Sequence, residues 1–244
     1  MQRGQSMNSG NILGGGHISQ TFDKELAGIH HRVLEMGGLV EEQLRAAANA
    51  LTGSDPDMAR KVVEADTAVN NLEVAIDEEC VFILARRQPA ASDLRLVMSV
   101  IKTINDLERM GDEAARVARM AEKLADAILP HGLLPGFSRL ADMVAEQLRK
   151  ALDAFARNDV ERAMATVQAD ESIDKHYDAL TGEIMSQMMA SPNMVPHGTE
   201  LLWVARSLER IGDRACNICE HVVYLVKGKD VRHTDLGHDK LQRS

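Results

Sequence analysis

Leu107-Glu108-Arg109-Met110-Gly111-Asp112 returns as Leu208-Glu209-Arg210-Ile211-Gly212-Asp213, 101 residues later. Upstream, Glu42-Gln43-Leu44-Arg45 returns as Glu146-Gln147-Leu148-Arg149 at an offset of 104. At that second offset Ala47, Ala50, Asp55, Ala59, Val63, Ala65 and Asp66 recur as Ala151, Ala154, Asp159, Ala163, Val167, Ala169 and Asp170. The small mismatch between the offsets fits a shorter loop before the last helix of the second copy. A period of roughly 100 residues is that of a domain, not the roughly 20–50-residue repeat of a solenoid. The chain is a duplicated domain, and each copy carries acids at helical spacing.

Composition narrows the fold. The 244 residues accommodate two domains, and 45% hydrophobic against 27% charged residues suffices to bury a core. Aromatics make up only 3%, while Ala, Leu, Met, Glu and Arg abound, which is the composition of a helical bundle. A net charge of −9 argues against nucleic acid as a main partner, because phosphate-backbone binding needs a basic face. It is compatible with cation binding. No apolar run approaches the ~20 residues of a membrane span, and no signal peptide opens the chain, so a cytoplasmic protein is expected. Cys80, Cys216 and Cys219 are too few for a disulfide framework.

Punctuation bounds six helices. The first runs from a cap at Ser19 to Thr52 and stops at Gly53; Asp55-Pro56 opens the second, which reaches about Arg87. Gln88-Pro89 breaks the chain, and Ser92 is placed as the cap of a third helix ending near Leu129. A loop over 131–136 separates the copies. The fourth helix covers about Ser138–Arg157, the fifth runs from Asp159 to about Ala190, and the sixth reaches about Lys227. Long helices on short loops must lie antiparallel, giving an all-α chain of two tandem three-helix bundles. The expected units are a flexible leader 1–17, a first bundle 18–130, a second bundle 137–228 and a flexible tail 229–244.

The acids interrupt apolar seams. On the third helix one heptad line reads Leu94, Ile101, Glu108, Ala115 and the other Val97, Ile104, Gly111, Ala118; on the sixth, Val195, Leu202, Glu209, Cys216 runs beside Gly198, Ala205, Gly212, Cys219. Asp112 and Asp213 follow the glutamates by one turn. On the second helix Asp66, Asn70, Glu73 and Asp77 flank the seam, and on the fifth Asp170 and Asp174 match the first two. Burying such carboxylates costs several kcal/mol unless they are paired, protonated or bound to a cation. Arg109 and Arg210 point about 100° away from their acidic neighbours, leaving hard divalent ions with oxygen ligands as the other source of charge. Solvated i,i+4 ion pairs on an outer face are the alternative.

The doubled Leu-Glu-Arg-x-Gly-Asp, each with an Asp-x-x-x-Asn/Asp on the preceding helix, resembles the PhoU family of phosphate-transport accessory proteins. So do Arg87-Gln88-Pro89-Ala90-Ala91-Ser92-Asp93-Leu94-Arg95 and Ala205-Arg206-Ser207-Leu208-Glu209-Arg210-Ile211-Gly212-Asp213-Arg214, strings of the proteobacterial type. The resemblance implies metal ligands at Asp66, Asn70, Glu108 and Asp112, and at Asp170, Asp174, Glu209 and Asp213. Asn70 departs from the all-acid form and weakens the first site. Manganese, iron, zinc and magnesium are the candidate ions. The resemblance further implies negative regulation of the phosphate-starvation response. The expected partners are the ATPase subunit of the phosphate ABC transporter and the phosphate-sensing histidine kinase, at the inner membrane, with a homodimer as one expected assembly. Arg95, Arg109, Arg206 and Arg210 are candidate partner contacts or supports of the acidic motifs.

Other features carry less. Cys216-Asn-Ile-Cys219 has redox and zinc spacing but sits within a helix on the core stripe, so packing is expected. His30-His31 read as ordinary surface or core residues. Met185, Met188, Met189 and Met194 serve equally as partner surface or core filler. Gly14-Gly15-Gly16 lacks the Lys-Ser/Thr of a P-loop. A carboxylate-bridged di-metal enzyme is the competing function; it calls for Glu-x-x-His, where this chain has Gly111 and Gly212.

Overall fold

Asp55 and Asp159 occupy the same place in the two copies and do the same work. Asp55 accepts from the backbone N–H of Met58 at 2.9 Å and Asp159 from that of Arg162 at 3.0 Å, each capping an otherwise unpaired helix start. The computed structural model describes residues 14–89, 91–130, 132–229 and 231, with side chains from Gln20 onward. These form α1 (Gly14–Thr52), α2 (Pro56–Arg87), α3 (Ala91–Leu124), α4 (Leu133–Arg157), α5 (Val160–Gln168), α6 (Asp170–Ala190) and α7 (Val195–Lys227), with one 3₁₀ turn at Pro192–Met194. No strand occurs among the described residues. Helices α1, α2 and α3 pack on one another, as do α4, α5–α6 and α7. Residues 1–13 and 232–244, most of the expected leader and tail, lie outside the described residues.

Several expected boundaries shift. Helix α1 starts at Gly14, ahead of Ser19, and its left-handed terminator is Ser54 (φ 51°), not Gly53. Ser92 does not cap α3; its hydroxyl donates to Asp93 Oδ1 at 3.3 Å inside the helix. Helix α3 stops at Leu124, short of Leu129, in a turn closed by Ala127 N–H on the Leu124 carbonyl at 3.0 Å. Helix α4 begins at Leu133, because Pro135 falls in a first turn whose N–H groups have no helical partner to lose. The expected fifth helix is two. Thr166 Oγ1 donates to the Arg162 carbonyl at 2.9 Å and Ser172 Oγ to that of Ala169 at 2.7 Å. Those hydroxyls compete for backbone carbonyls and tighten the chain at Ala169. In α2 the matching positions are Val62 and Ala68, and the helix runs through unbroken.

The buried apolar side chains of both copies form one core cluster. The copies meet along α1 against α4 and α3 against α7. Partners on α3 and α7 run in opposite directions: Arg95 with Leu225, Ser99 with His221, Asp106 with Arg214, Glu113 with Ser207. At the other crossing His30 stacks on Phe155, centroids 4.8 Å apart, so this histidine is an inter-bundle packing residue. The methionines divide. Met194 is buried and Met188 packs at Gly198, whereas Met185 and Met189 are exposed.

Candidate metal centres

Packing α2 against α3 brings the first pair of motifs face to face, and α5–α6 against α7 does the same for the second. The buried face of α3 holds Val97, Ile104, Gly111 and Ala118 and widens to Val100, Leu107, Ala114 and Ala115. Leu94, expected on the seam, is exposed, and Glu108 sits at the seam's edge, its side chain 22% exposed. Glu209 is deeper, at 12%. Asp112 and Asp213 lie at the open rim of each site, exposed as whole residues.

Each site has a wall missing from the sequence reading. Gln43 on α1 and Gln147 on α4, the repeated glutamines, are buried and reach across to the α2 and α6 acids. Gln43 Nε2 donates to Asp66 Oδ1 at 3.4 Å, and Gln147 Nε2 to Asp170 Oδ1 at 2.7 Å. Asn70 Nδ2 lies 3.5 Å from Asp66 Oδ2. The glycines of the motif leave the gap into which these groups fit. A Cβ on Gly111 would come within 3.0 Å of Asp66 Oδ1, and one on Gly212 within 3.0 Å of Gln147 Oε1.

The electrostatics are those of a site short of positive charge. Burial, then the neighbouring Asp112, raises the Asp66 and Glu108 carboxyls above the usual range, although hydrogen bonds from Gln43 and Asn70 partly offset this at Asp66. In the second site burial leads again: with Asp170 beside them it raises Asp174 and Asp213, and with Asp213 it raises Glu209. Cations nearby are peripheral. Arg109 lies 3.4 Å from Glu108, closer than its helical position suggested, and Arg206 lies 2.6 Å from Glu209 Oε1. Arg210 turns to Glu113 at 3.0 Å, and Arg95 donates to the Leu225 carbonyl at 3.2 Å near the end of α7.

Among the described residues five buried side-chain atoms lack a hydrogen-bond partner: Gln43 Oε1, Asn70 Oδ1, Gln147 Oε1, Glu209 Oε2 and Thr103 Oγ1. Four of them are acceptor oxygens of these two sites. Leaving a buried acceptor unpaired costs roughly 1–3 kcal/mol, and oxygen acceptors without donors are what a hard cation requires. The residues therefore fit such an ion. They are not a finished cage: among the described residues no three His, Cys, Asp or Glu side chains gather as a metal-binding group. Capture needs the amide oxygens and an inward swing of the exposed aspartates.

A second acidic set on α3 was also missed. Asp106 accepts from Arg214, Asn217 and His221 at 3.1, 3.1 and 2.9 Å. Glu113 accepts from Ser207 and Arg210 at 2.7 and 3.0 Å. These acids tie the bundles together. A cleft of about 550 Å³ beside Asp106 is lined by Asn217 and His221 of that network, by Lys102, which lies over the Tyr224 ring, and by Asn105 and Glu220.

The family model for the PhoU domain matches residues 33–121 and 137–222. The chain is 47% identical over 221 residues to a Pseudomonas aeruginosa protein named phosphate-specific transport system accessory protein PhoU homolog, covering 90% of this chain and 91% of that one. It is 45% identical over 228 residues to the Escherichia coli K12 phosphate-specific transport system accessory protein PhoU, covering 93% of each. The crystal structure of PhoU from Pseudomonas aeruginosa superposes with a TM-score of 0.82 at 45% identity, over 85% of this chain and 100% of that one. The phosphate transport system regulatory protein PhoU from Streptococcus pneumoniae gives 0.80 at 36% identity, over 86% and 99%.

Proposed function

Because the chain belongs to the PhoU domain family, we propose that it is an accessory protein of phosphate transport that represses the phosphate-starvation response by binding, not by turnover. In this reading its partners are the ATPase subunit of the phosphate ABC transporter and the phosphate-sensing histidine kinase, met at the cytoplasmic face of the inner membrane. No described helix is long and apolar enough to cross a membrane. The names of the relatives, accessory proteins of a phosphate-specific transport system, support the transport role.

The reading extends to metal. The first site holds a divalent cation through Asp66, Asn70, Glu108 and Asp112 with Gln43, the second through Asp170, Asp174, Glu209 and Asp213 with Gln147. The observation that carries it is the set of four buried acceptor oxygens without donors. A bound cation supplies the positive charge that cancels repulsion among the acids. The di-metal enzyme is disfavoured by the glycines: a side chain at Gly111 or Gly212, where Glu-x-x-His would place imidazole, meets Asp66 or Gln147 at once.

Deleting the gene from its host is expected to leave phosphate-starvation genes expressed when phosphate is plentiful, with repression restored by the wild-type gene. A deletion strain that still represses would overturn the regulatory reading. Complementation with Glu108→Ala and Glu209→Ala together then shows whether the sites serve signalling. Full repression by that chain, folded and metal-free, would divorce the acidic sites from regulation.

A further inference from the structure

The two sites differ by a sulfur atom. Aligning Glu108–Asp112 with Glu209–Asp213 sets Ala115 on α3 against Cys216 on α7. Ala115 is buried and has nothing to coordinate with. Cys216 is only partly buried, and its Sγ lies 3.3 Å from Gln147 Nε2. The same nitrogen sits 2.7 Å from Asp170 Oδ1, so thiol and carboxylate stand side by side, sharing one donor. Cys219, one turn on, is instead fully buried within the core cluster, beside the Thr166 hydroxyl.

A second observation points into the same space. Gln147 is 3% exposed, and its Oε1 has no partner although the amide nitrogen beside it is used twice. That oxygen borders the gap left by Gly212. Glu209 Oε2, also buried and unpartnered, belongs to the same site. Sulfur, carboxylate and amide groups thus line one wall, with Asp213 a turn before Cys216 able to close over it.

We propose that Cys216 is a sulfur ligand, making the second site a mixed oxygen–sulfur centre for a borderline-soft divalent cation such as Zn²⁺, while the first, all-oxygen site takes a hard one such as Mn²⁺ or Mg²⁺. The inference rests on the cation reading of the acidic sites. Thiolate favours zinc and cobalt over magnesium and calcium, which prefer oxygen alone. As the metal–sulfur bond forms, the thiol proton leaves to solvent.

The test titrates the full chain, metal-free and without an affinity tag, with Co²⁺ as the spectroscopic probe. A thiolate-to-cobalt charge-transfer band in the near ultraviolet is expected from the wild type and from Cys80→Ala/Cys219→Ala, and is expected to vanish in Cys216→Ala and Cys216→Ser. Zn²⁺ affinity should fall roughly tenfold or more in both Cys216 variants, with Mn²⁺ binding at the first site unchanged. Cys216→Ala should fold, since Ala115 fills the matching place in the first bundle, and its circular dichroism melt verifies this. Co²⁺ binding without the band, or a band that survives loss of Cys216, overturns the sulfur ligand and leaves the cation reading intact. Uptake of neither Mn²⁺ nor Co²⁺ by the wild type overturns both.

Discussion

Asp106 and Glu113 on α3 receive five donors from α7, whereas Glu108, between them in sequence, has only its neighbour Arg109 at 3.4 Å. One helix thus carries two acidic faces of opposite character. The face toward α7 is satisfied: arginine, histidine, asparagine and serine of one bundle complete the carboxylates of the other. The face toward α2 gathers acceptors against acceptors, with Asp66 and Glu108 raised by burial and by Asp112. Burial alone does not separate a structural acid from a ligand; the supply of donors does.

The contrast predicts opposite signs on mutation. Asp106→Ala strands Arg214, Asn217 and His221 at the bundle seam and should destabilise by about 3 kcal/mol, the lower range for breaking a buried pair from one side. Glu113→Ala should cost less, because Arg210 and Arg116 are largely exposed and can turn to water. Glu209→Gln with Asp213→Asn should instead leave the metal-free protein at least as stable, since it removes carboxylates whose ionisation is opposed. Chemical denaturation of the three variants checks all of this; a loss near 3 kcal/mol in the last would erase the distinction between the faces.

pH sharpens it further. The ligand carboxyls raised in the folded state bind protons more tightly there than in the unfolded chain, so their contribution favours folding as pH falls. That increment is complete below the ordinary carboxylate range and is lost as pH rises through the raised values. Glu25, held low by Arg87, works the other way, as do Glu146 and Asp153 with their arginines. The site contribution is therefore the difference in melting temperature between wild type and a Glu108→Gln, Glu209→Gln, Asp213→Asn chain, followed across mildly acidic pH. The wild-type melting temperature minus that of the variant should fall toward neutrality in metal-free protein, as the crowded carboxylates ionise, and should rise there when Mn²⁺ is present. A difference flat with pH in metal-free protein would deny the raised carboxyls.

A smaller effect separates the two sites. Asn70→Asp supplies the charge that Asp174 already gives the second, and should tighten cation binding by the first about tenfold, or about 1.4 kcal/mol. Calorimetry showing unchanged or weaker binding would mean that Asn70 Oδ1 is already the better ligand. Less again, Thr166→Val with Ser172→Ala should smooth the kink at Ala169 and change stability by about 0.5 kcal/mol or less.

The duplicated Leu-Glu-Arg-x-Gly-Asp, the two aspartate caps and the Pro-marked breaks carried the architecture, because capping and proline chemistry act within a few residues. The facing of Asp66 on Asp112, and of Asp170 on Asp213, followed from helix pairing. Asp106 and Glu113 did not show, since which face of α3 meets α7 depends on how two bundles dock. Gln43 and Gln147 left a usable signal: a polar residue in line with Val40, Ala47 and Ala50 in one copy, and with Val144, Ala151 and Ala154 in the other. The kink in the fifth expected helix was written in Thr166 and Ser172, whose hydroxyls matter only by comparison with Val62 and Ala68.

The central claim, that the donor-poor face is a cation site, is tested most directly by Mn²⁺ calorimetry on metal-free, tag-free protein. The wild type is compared with Glu108→Gln, Asp112→Asn, Glu209→Gln and Asp213→Asn combined. The wild type should bind saturably and gain about 2.7 kcal/mol of stability at a hundredfold excess over the dissociation constant, while the quadruple variant folds and binds nothing. No binding by the wild type, or equal binding by the folded variant, would contradict it.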